Sequence, residues 1–301
     1  MLAKAEMNRR LGADTVKLLC GAMGTEIQRR GVRTDLPFWS ADGLLKAPEV
    51  VQKIHADYLE AGAEILTTNT FRTNLRTFKS IGKPELAREL TLKASELALD
   101  ARSKSGKGDV LIGGSIAPVE DCYRPDLAPS NQELKEEHGV MLDWFEESGV
   151  DFIFAETHNS LREASAITEE CARRALPFMI SFVCKDGTSL LSEEPIKQAV
   201  EQSIKDGAIA ILANCRPLET IDVALKTMLA ESSMIVGAYG NGEGHPDDVE
   251  GWKFEGENPE EKYLIHVKQW IEAGALIVGG CCGTTPDYTR RMREYLDDRN
   301  V

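Results

Sequence analysis

The chain has 301 residues, 42% of them hydrophobic, and carries a formal charge of −14. That composition supplies one large core and excludes a disordered or low-complexity polymer. The acidic balance argues against nucleic acid as a partner, because phosphate binding needs clustered Lys and Arg. The N-terminal stretch lacks the apolar core of a secretory signal, and no run approaches the ~20 apolar residues of a membrane helix. The sequence therefore predicts a cytoplasmic protein with no membrane partner.

A loose repeat organises the chain: an acidic amphipathic stretch, a glycine, then a short apolar run. It occurs at Glu60–Thr68, Glu147–Ala155, Lys205–Ala213 and Glu272–Gly280, and it reads as helix, glycine cap, buried strand. In chain order, strands are predicted at 17–20, 63–68, 109–114, 151–155, 177–183, 208–213, 233–238 and 275–279. Helices are predicted at 48–61, 84–105, 130–149, 160–175, 194–206, 219–231, 259–273 and 286–298. Pro48 before Glu49, Ser130 followed by Glu133, and Pro286 before Asp287 supply start signals for three of them. Continuous apolar runs alternating with helices mean parallel strands covered on their outer face. Eight such units, with no linker between them, predict an α/β fold: a single (β/α)8 TIM barrel in which residues 1–301 form one domain. An open doubly wound sheet is the runner-up, but no G-x-G-x-x-G follows the first strand and no Walker motif occurs.

In a barrel of this kind chemistry sits at the C-terminal ends of the strands, and the reactive residues fall there. The first strand ends in Cys20-Gly21-Ala22-Met23-Gly24-Thr25, the second in Thr68-Asn69-Thr70-Phe71 and the third in Gly113-Gly114-Ser115. The fourth ends in Glu156-Thr157-His158, the sixth in Asn214-Cys215, the seventh in Tyr239-Gly240-Asn241 and the eighth in Gly279-Gly280-Cys281-Cys282-Gly283. The seven cysteines are odd in number and include an adjacent pair, which does not suit a disulfide scaffold. Strands six and eight are near neighbours in a closed barrel, so Cys215 can face Cys281 and Cys282. Three thiolates make a soft site suited to Zn2+ with one position open. A substrate thiol placed there would be ionised at neutral pH and ready to attack an electrophilic carbon, such as the methyl of a sulfonium or quaternary ammonium donor. Without a metal, the same three residues are buried packing cysteines, as Cys122, Cys171 and Cys184 are read to be. His158 reads as a wall or loop residue. The run Gly240-Asn241-Gly242-Glu243-Gly244 could be read as a phosphate loop, but its glutamate argues against that.

Four segments together resemble the homocysteine S-methyltransferase family: Gly21–Gln28, Thr68–Phe71, Ala213-Asn214-Cys215-Arg216-Pro217, and Gly279–Pro286. They occur in family order and span nearly the whole chain. The resemblance implies Cys215, Cys281 and Cys282 as catalytic zinc ligands, Zn2+ as cofactor, and Glu156 as partner of the amino group of an amino-acid thiol. It makes Asn69 a candidate for positioning substrate or loops. It also places Trp39 near the methyl donor, where an indole face suits a cation; Tyr239 and Tyr123 could contribute. The expected reaction is methyl transfer to the thiol of homocysteine, giving methionine, from S-methylmethionine, S-adenosylmethionine or betaine. One position departs from the family pattern. An aspartate close to the bound thiol substrate is replaced by Cys20, a poor acceptor for an ammonium, so another thiol or a selenol acceptor stays open. So do a homo-oligomer, a separate corrinoid protein that exchanges methyl groups, and a non-catalytic zinc or redox-sensing protein.

Overall fold

The computed structural model describes residues 1–12, 14–247 and 251–299. Eight parallel strands form the sheet: Lys17–Leu18 (β1), Ile65–Thr67 (β2), Leu111–Ile116 (β3), Phe152–His158 (β4), Phe178–Phe182 (β5), Ala210–Asn214 (β6), Ile235–Gly240 (β7) and, after a two-stranded excursion, Ile277–Gly280 (β10). The order is β1-β10-β7-β6-β5-β4-β3-β2. Leu19 bridges Ile65 in parallel, and the Cys20 amide donates to the Ile65 carbonyl at 2.9 Å, so the first strand also meets the second. The sheet is thereby closed into a (β/α)8 barrel, as the eight apolar runs predict. β3, β5 and β6 are buried along their whole length, the signature of parallel strands covered by helices.

All eight predicted outer helices are present, Pro48–Glu60, Glu85–Ser105, Asn131–Ser148, Leu161–Arg173, Ile196–Asp206, Leu218–Glu231, Pro259–Ala273 and Pro286–Arg299. The repeat glycines do what their position demands. Gly62, Gly149, Gly207 and Gly274 all have positive φ, between 83° and 113°, where the chain leaves a helix and turns into the next strand. Ser130 and Glu133 form the expected capping box.

Several elements were not legible beforehand. Helix Lys4–Leu11 lies across the N-terminal end of the barrel, burying Met7 and Leu11, with the Leu2 amide on the Asp151 carbonyl and Lys4 Nζ on the Gly207 carbonyl. At the opposite end, short helices Gly24–Arg29, Ala41–Lys46 and Leu75–Lys79 sit in the first two strand-to-helix connections. An antiparallel pair, Gly244–Asp247 (β8) with Gly251–Phe254 (β9), follows β7. Among the described residues, no helix is long and apolar enough to cross a membrane.

Candidate active site

The C-terminal ends of the strands open into a cavity of about 830 Å³. Its lining includes Cys20, Trp39, Asn69, Glu156, Cys215, Tyr239, Cys281 and Cys282, so the fold brings these eight candidates to one place. His158 is elsewhere. It closes β4 and is fully buried, its ring 5.9 Å from that of His138, and the enclosure pushes its pKa down to about 4.

The three cysteines converge. The sulfurs of Cys215, Cys281 and Cys282 lie within 4.8 Å of one another, and those of Cys215 and Cys282 are 3.8 Å apart. Cys215 leaves β6 with a φ of 56°, a left-handed turn uncommon for a residue with a Cβ. The adjacent pair is fixed from three sides. The Cys281 amide donates to the Gly240 carbonyl at 2.8 Å, and the Cys282 carbonyl accepts from Gly242 N at 2.8 Å. Thr284 Oγ1 donates to the Cys281 carbonyl at 2.8 Å, and Thr25 Oγ1 accepts from Gly283 N at 3.0 Å. A Cβ on Gly280 would collide with the Thr284 side chain, so the close return of the chain needs glycine.

Electrostatics make this cluster suited to a cation. Hydrogen bonds from Cys281 and Cys282 hold the Cys215 thiol well below its ordinary value, and the same crowding pushes Cys281 and Cys282 up. Three sulfurs so close can all ionise only with positive charge between them. Three convergent thiols with one side open to a cavity fit a tetrahedral soft metal such as zinc. Cys20 is not part of the cluster. Its sulfur lies 3.7 Å from Thr67 Oγ1, and burial pushes its pKa up to about 11.

Glu156 is aimed by the backbone. The register of β4 on β5 shifts between Ala155 and His158, and Thr157 between them has a φ of 64°. Such a bulge re-aims side chains. Glu156 turns into the cavity while His158 turns outward. One carboxylate oxygen accepts from Ser115 Oγ and the other from the Tyr239 hydroxyl at 3.4 Å; Tyr239 is held in turn by Ser181 Oγ at 2.5 Å. Enclosure raises the Glu156 pKa to about 7, against the lowering effect of the Ser115 hydroxyl.

Trp39 is half-buried, with its indole against the backbone of Gly24, where a Cβ would come within 2.5 Å of Nε1. Asn69 is buried; Nδ2 donates to the Ser40 carbonyl at 2.9 Å, tying the β2 loop to the segment that carries Trp39, and Oδ1 has no partner among the described residues. Sequence reasoning did not anticipate the serine and threonine supports, and it offered Tyr123 only as a contributor at the donor site, whereas its hydroxyl lies 3.1 Å from Cys215 Sγ. It also treated Cys122 as packing, although this buried residue lines the cavity. The run Gly-Thr-Thr after the cysteine pair was the one visible signal for the threonine supports.

Comparison with known proteins joins this geometry to a family. A sequence model of homocysteine S-methyltransferase matches residues 17–296. A selenocysteine methyltransferase of Astragalus bisulcatus is 30% identical, covering 94% of this chain and 93% of its own. The homocysteine S-methyltransferase YbgG of Bacillus subtilis is also 30% identical, over 94% of this chain and 95% of its own. The metallated form of the homocysteine methyltransferase MmuM from Escherichia coli superposes with a TM-score of 0.83 at 26% identity, covering 97% of this chain and 99% of that one. Likeness that runs from the first barrel strand to the last helix, in sequence and in shape together, makes this chain a member of the homocysteine S-methyltransferase family.

Proposed function

We propose that the chain acts as one domain that transfers a methyl group from a small onium donor to the thiol of homocysteine, giving methionine, with zinc held by Cys215, Cys281 and Cys282. The observation that carries this reading is the convergence of three sulfurs within 4.8 Å on a cavity also lined by Glu156 and Trp39. Zinc bound there supplies the charge that keeps an acceptor thiol ionised and nucleophilic at neutral pH. The chain's own residues do the rest. Glu156 pairs with the acceptor's ammonium, and Asn69, Tyr239 and Cys20 wall the acceptor. Trp39 offers its indole face to the donor cation. The acceptor sulfur forms the new bond to carbon as the donor's carbon–sulfur or carbon–nitrogen bond breaks, and the thiol proton leaves to solvent.

Bound metal, and methionine formation from homocysteine with S-methylmethionine, S-adenosylmethionine and betaine in parallel, test this reading. About one zinc per chain and turnover with one donor are expected. No zinc in reduced protein would sink the site assignment. Zinc without turnover from any of the three would redirect the donor to a separate corrinoid protein, or the protein to zinc or redox sensing.

A second acceptor class has its own support. Cys20 adds a soft, un-ionised thiol to the wall beside Glu156, and one relative is named a selenocysteine methyltransferase. Methylation of selenocysteine faster than of homocysteine would favour it.

A further inference from the structure

Tyr123 lies in the connection between β3 and helix Asn131–Ser148, far from the cysteines in sequence. Its side chain is 46% exposed, yet its hydroxyl sits 3.1 Å from Cys215 Sγ and 3.4 Å from the Cys215 carbonyl. The ring thus spans from solvent to the thiol cluster.

This contact is built. The backbone just before Tyr123 is anchored at four consecutive residues by side chains from two other connections and from helix Leu161–Arg173. Asn74 Nδ2 donates to the Val119 carbonyl at 3.3 Å, and Val119 N donates to buried Glu163 at 2.8 Å. Arg72 donates to the Glu120 carbonyl at 2.8 Å. Asn159 Nδ2 reaches the Asp121 and Cys122 carbonyls at 3.4 and 3.1 Å. The Tyr123 amide itself donates to Asp121 Oδ1 at 2.8 Å. Further along, Arg162 holds the Ala128 and Pro129 carbonyls at 2.8 and 2.7 Å. A segment held at so many backbone atoms delivers its side chain to a fixed place.

We propose that Tyr123 is a positioning residue of the metal site, its hydroxyl donating a hydrogen bond to the Cys215 sulfur and its ring forming one wall of the cluster. The inference rests on the reading of Cys215, Cys281 and Cys282 as metal ligands. A ligating sulfur is a thiolate and carries no proton, so in the loaded site the phenol must be the donor. A hydrogen bond to a ligand sulfur withdraws electron density from it and fixes its direction. Outer partners of this kind tune ligands and support metal affinity. The alternative within the same geometry is donation to the Cys215 carbonyl, which would leave the sulfur untouched.

The test compares the full chain with Tyr123→Phe after loading with cobalt(II) and, separately, with zinc. Because Tyr123 is half in solvent, the variant should keep the parent's melting temperature. The expected result is a shifted thiolate-to-cobalt charge-transfer band, and zinc lost to a chromogenic chelator roughly tenfold faster or more. A second variant, Asn159→Ser, too short to reach both carbonyls, should move both readouts the same way by less. An unchanged band and unchanged zinc release in Tyr123→Phe would overturn the proposal. Failure of the parent protein to give any thiolate-to-cobalt band would instead overturn the underlying metal-site reading, so the two failures are distinguishable.

Discussion

Glu156 is the residue whose surroundings say most about chemistry. Its pKa of about 7 leaves it half protonated at neutral pH, whereas pairing with an ammonium requires the carboxylate. Acceptor binding should therefore tighten as pH rises from 6 to 8, with the KM for homocysteine falling about tenfold through this group. Part of any measured slope will come from the thiol, so the comparison is with Glu156→Gln, which should show a raised KM and a shallower slope. Stability should respond in the opposite sense. A carboxyl whose folded pKa lies above its usual 4.5 contributes stability that is complete below pH 4.5 and lost as pH rises through about 7. Glu156→Gln should accordingly melt higher than the parent at pH 8 and no higher at pH 4, as calorimetry at the two pH values would reveal. From sequence, Glu156 could be named because it closes a strand. Its perturbed acidity could not, because that depends on Ser115, Tyr239 and the enclosure made by strands distant in the chain.

Among the elements, the connection from β3 to helix Asn131–Ser148 depends on a buried pair on the neighbouring helices. Glu163 Oε1 accepts from Val119 N at 2.8 Å and from His138 Nε2 at 3.2 Å, and both side chains are almost fully enclosed. Glu163→Ala would leave a buried amide and a buried imidazole without partners. A loss of about 1–3 kcal/mol is expected in urea unfolding. The strands and outer helices were legible because each is a single apolar run or amphipathic stretch bounded by glycine or proline. The short elements at the barrel mouth were not. Gly244–Asp247 and Gly251–Phe254 have four residues each and no clean alternation, and they are held by contacts distant in sequence, such as Trp252 N to Gln28 Oε1 at 3.2 Å. Gly24–Arg29 carries Glu26 on its buried side, where Arg29 and Arg30 pair with it, an arrangement that no hydrophobic pattern announces.

For the whole molecule, the proposed ligands join β6 to the end of β10, two strands separated by β7. A metal there cross-links the barrel across its mouth and binds only the folded chain, so its free energy of binding adds to stability. Stripping it with a chelator should lower the melting temperature by a few degrees or more, and readdition should restore it. Cys215→Ser, Cys281→Ser and Cys282→Ser should each lose metal and methyl transfer, and should melt near the stripped parent rather than below it. The fold at this scale was legible because one repeat recurs around the barrel. The charge and length of the chain excluded other classes without pointing to this one.

The four tryptophans divide by position. Trp144 and Trp270 are buried among the outer helices, whereas Trp39 lies against Gly24 in the cavity wall and Trp252 packs over Gly283, next to the cysteine pair. Indole emission depends on local polarity and on nearby quenchers, and sulfur is an effective quencher. The protein thus carries its own optical reporters at the place where metal, acceptor and donor would arrive, over a steady background from the other two. Replacing Trp39 or Trp252 singly by Phe would assign each change in emission to one side of the mouth, so that the order of arrival could be followed by stopped flow without any label.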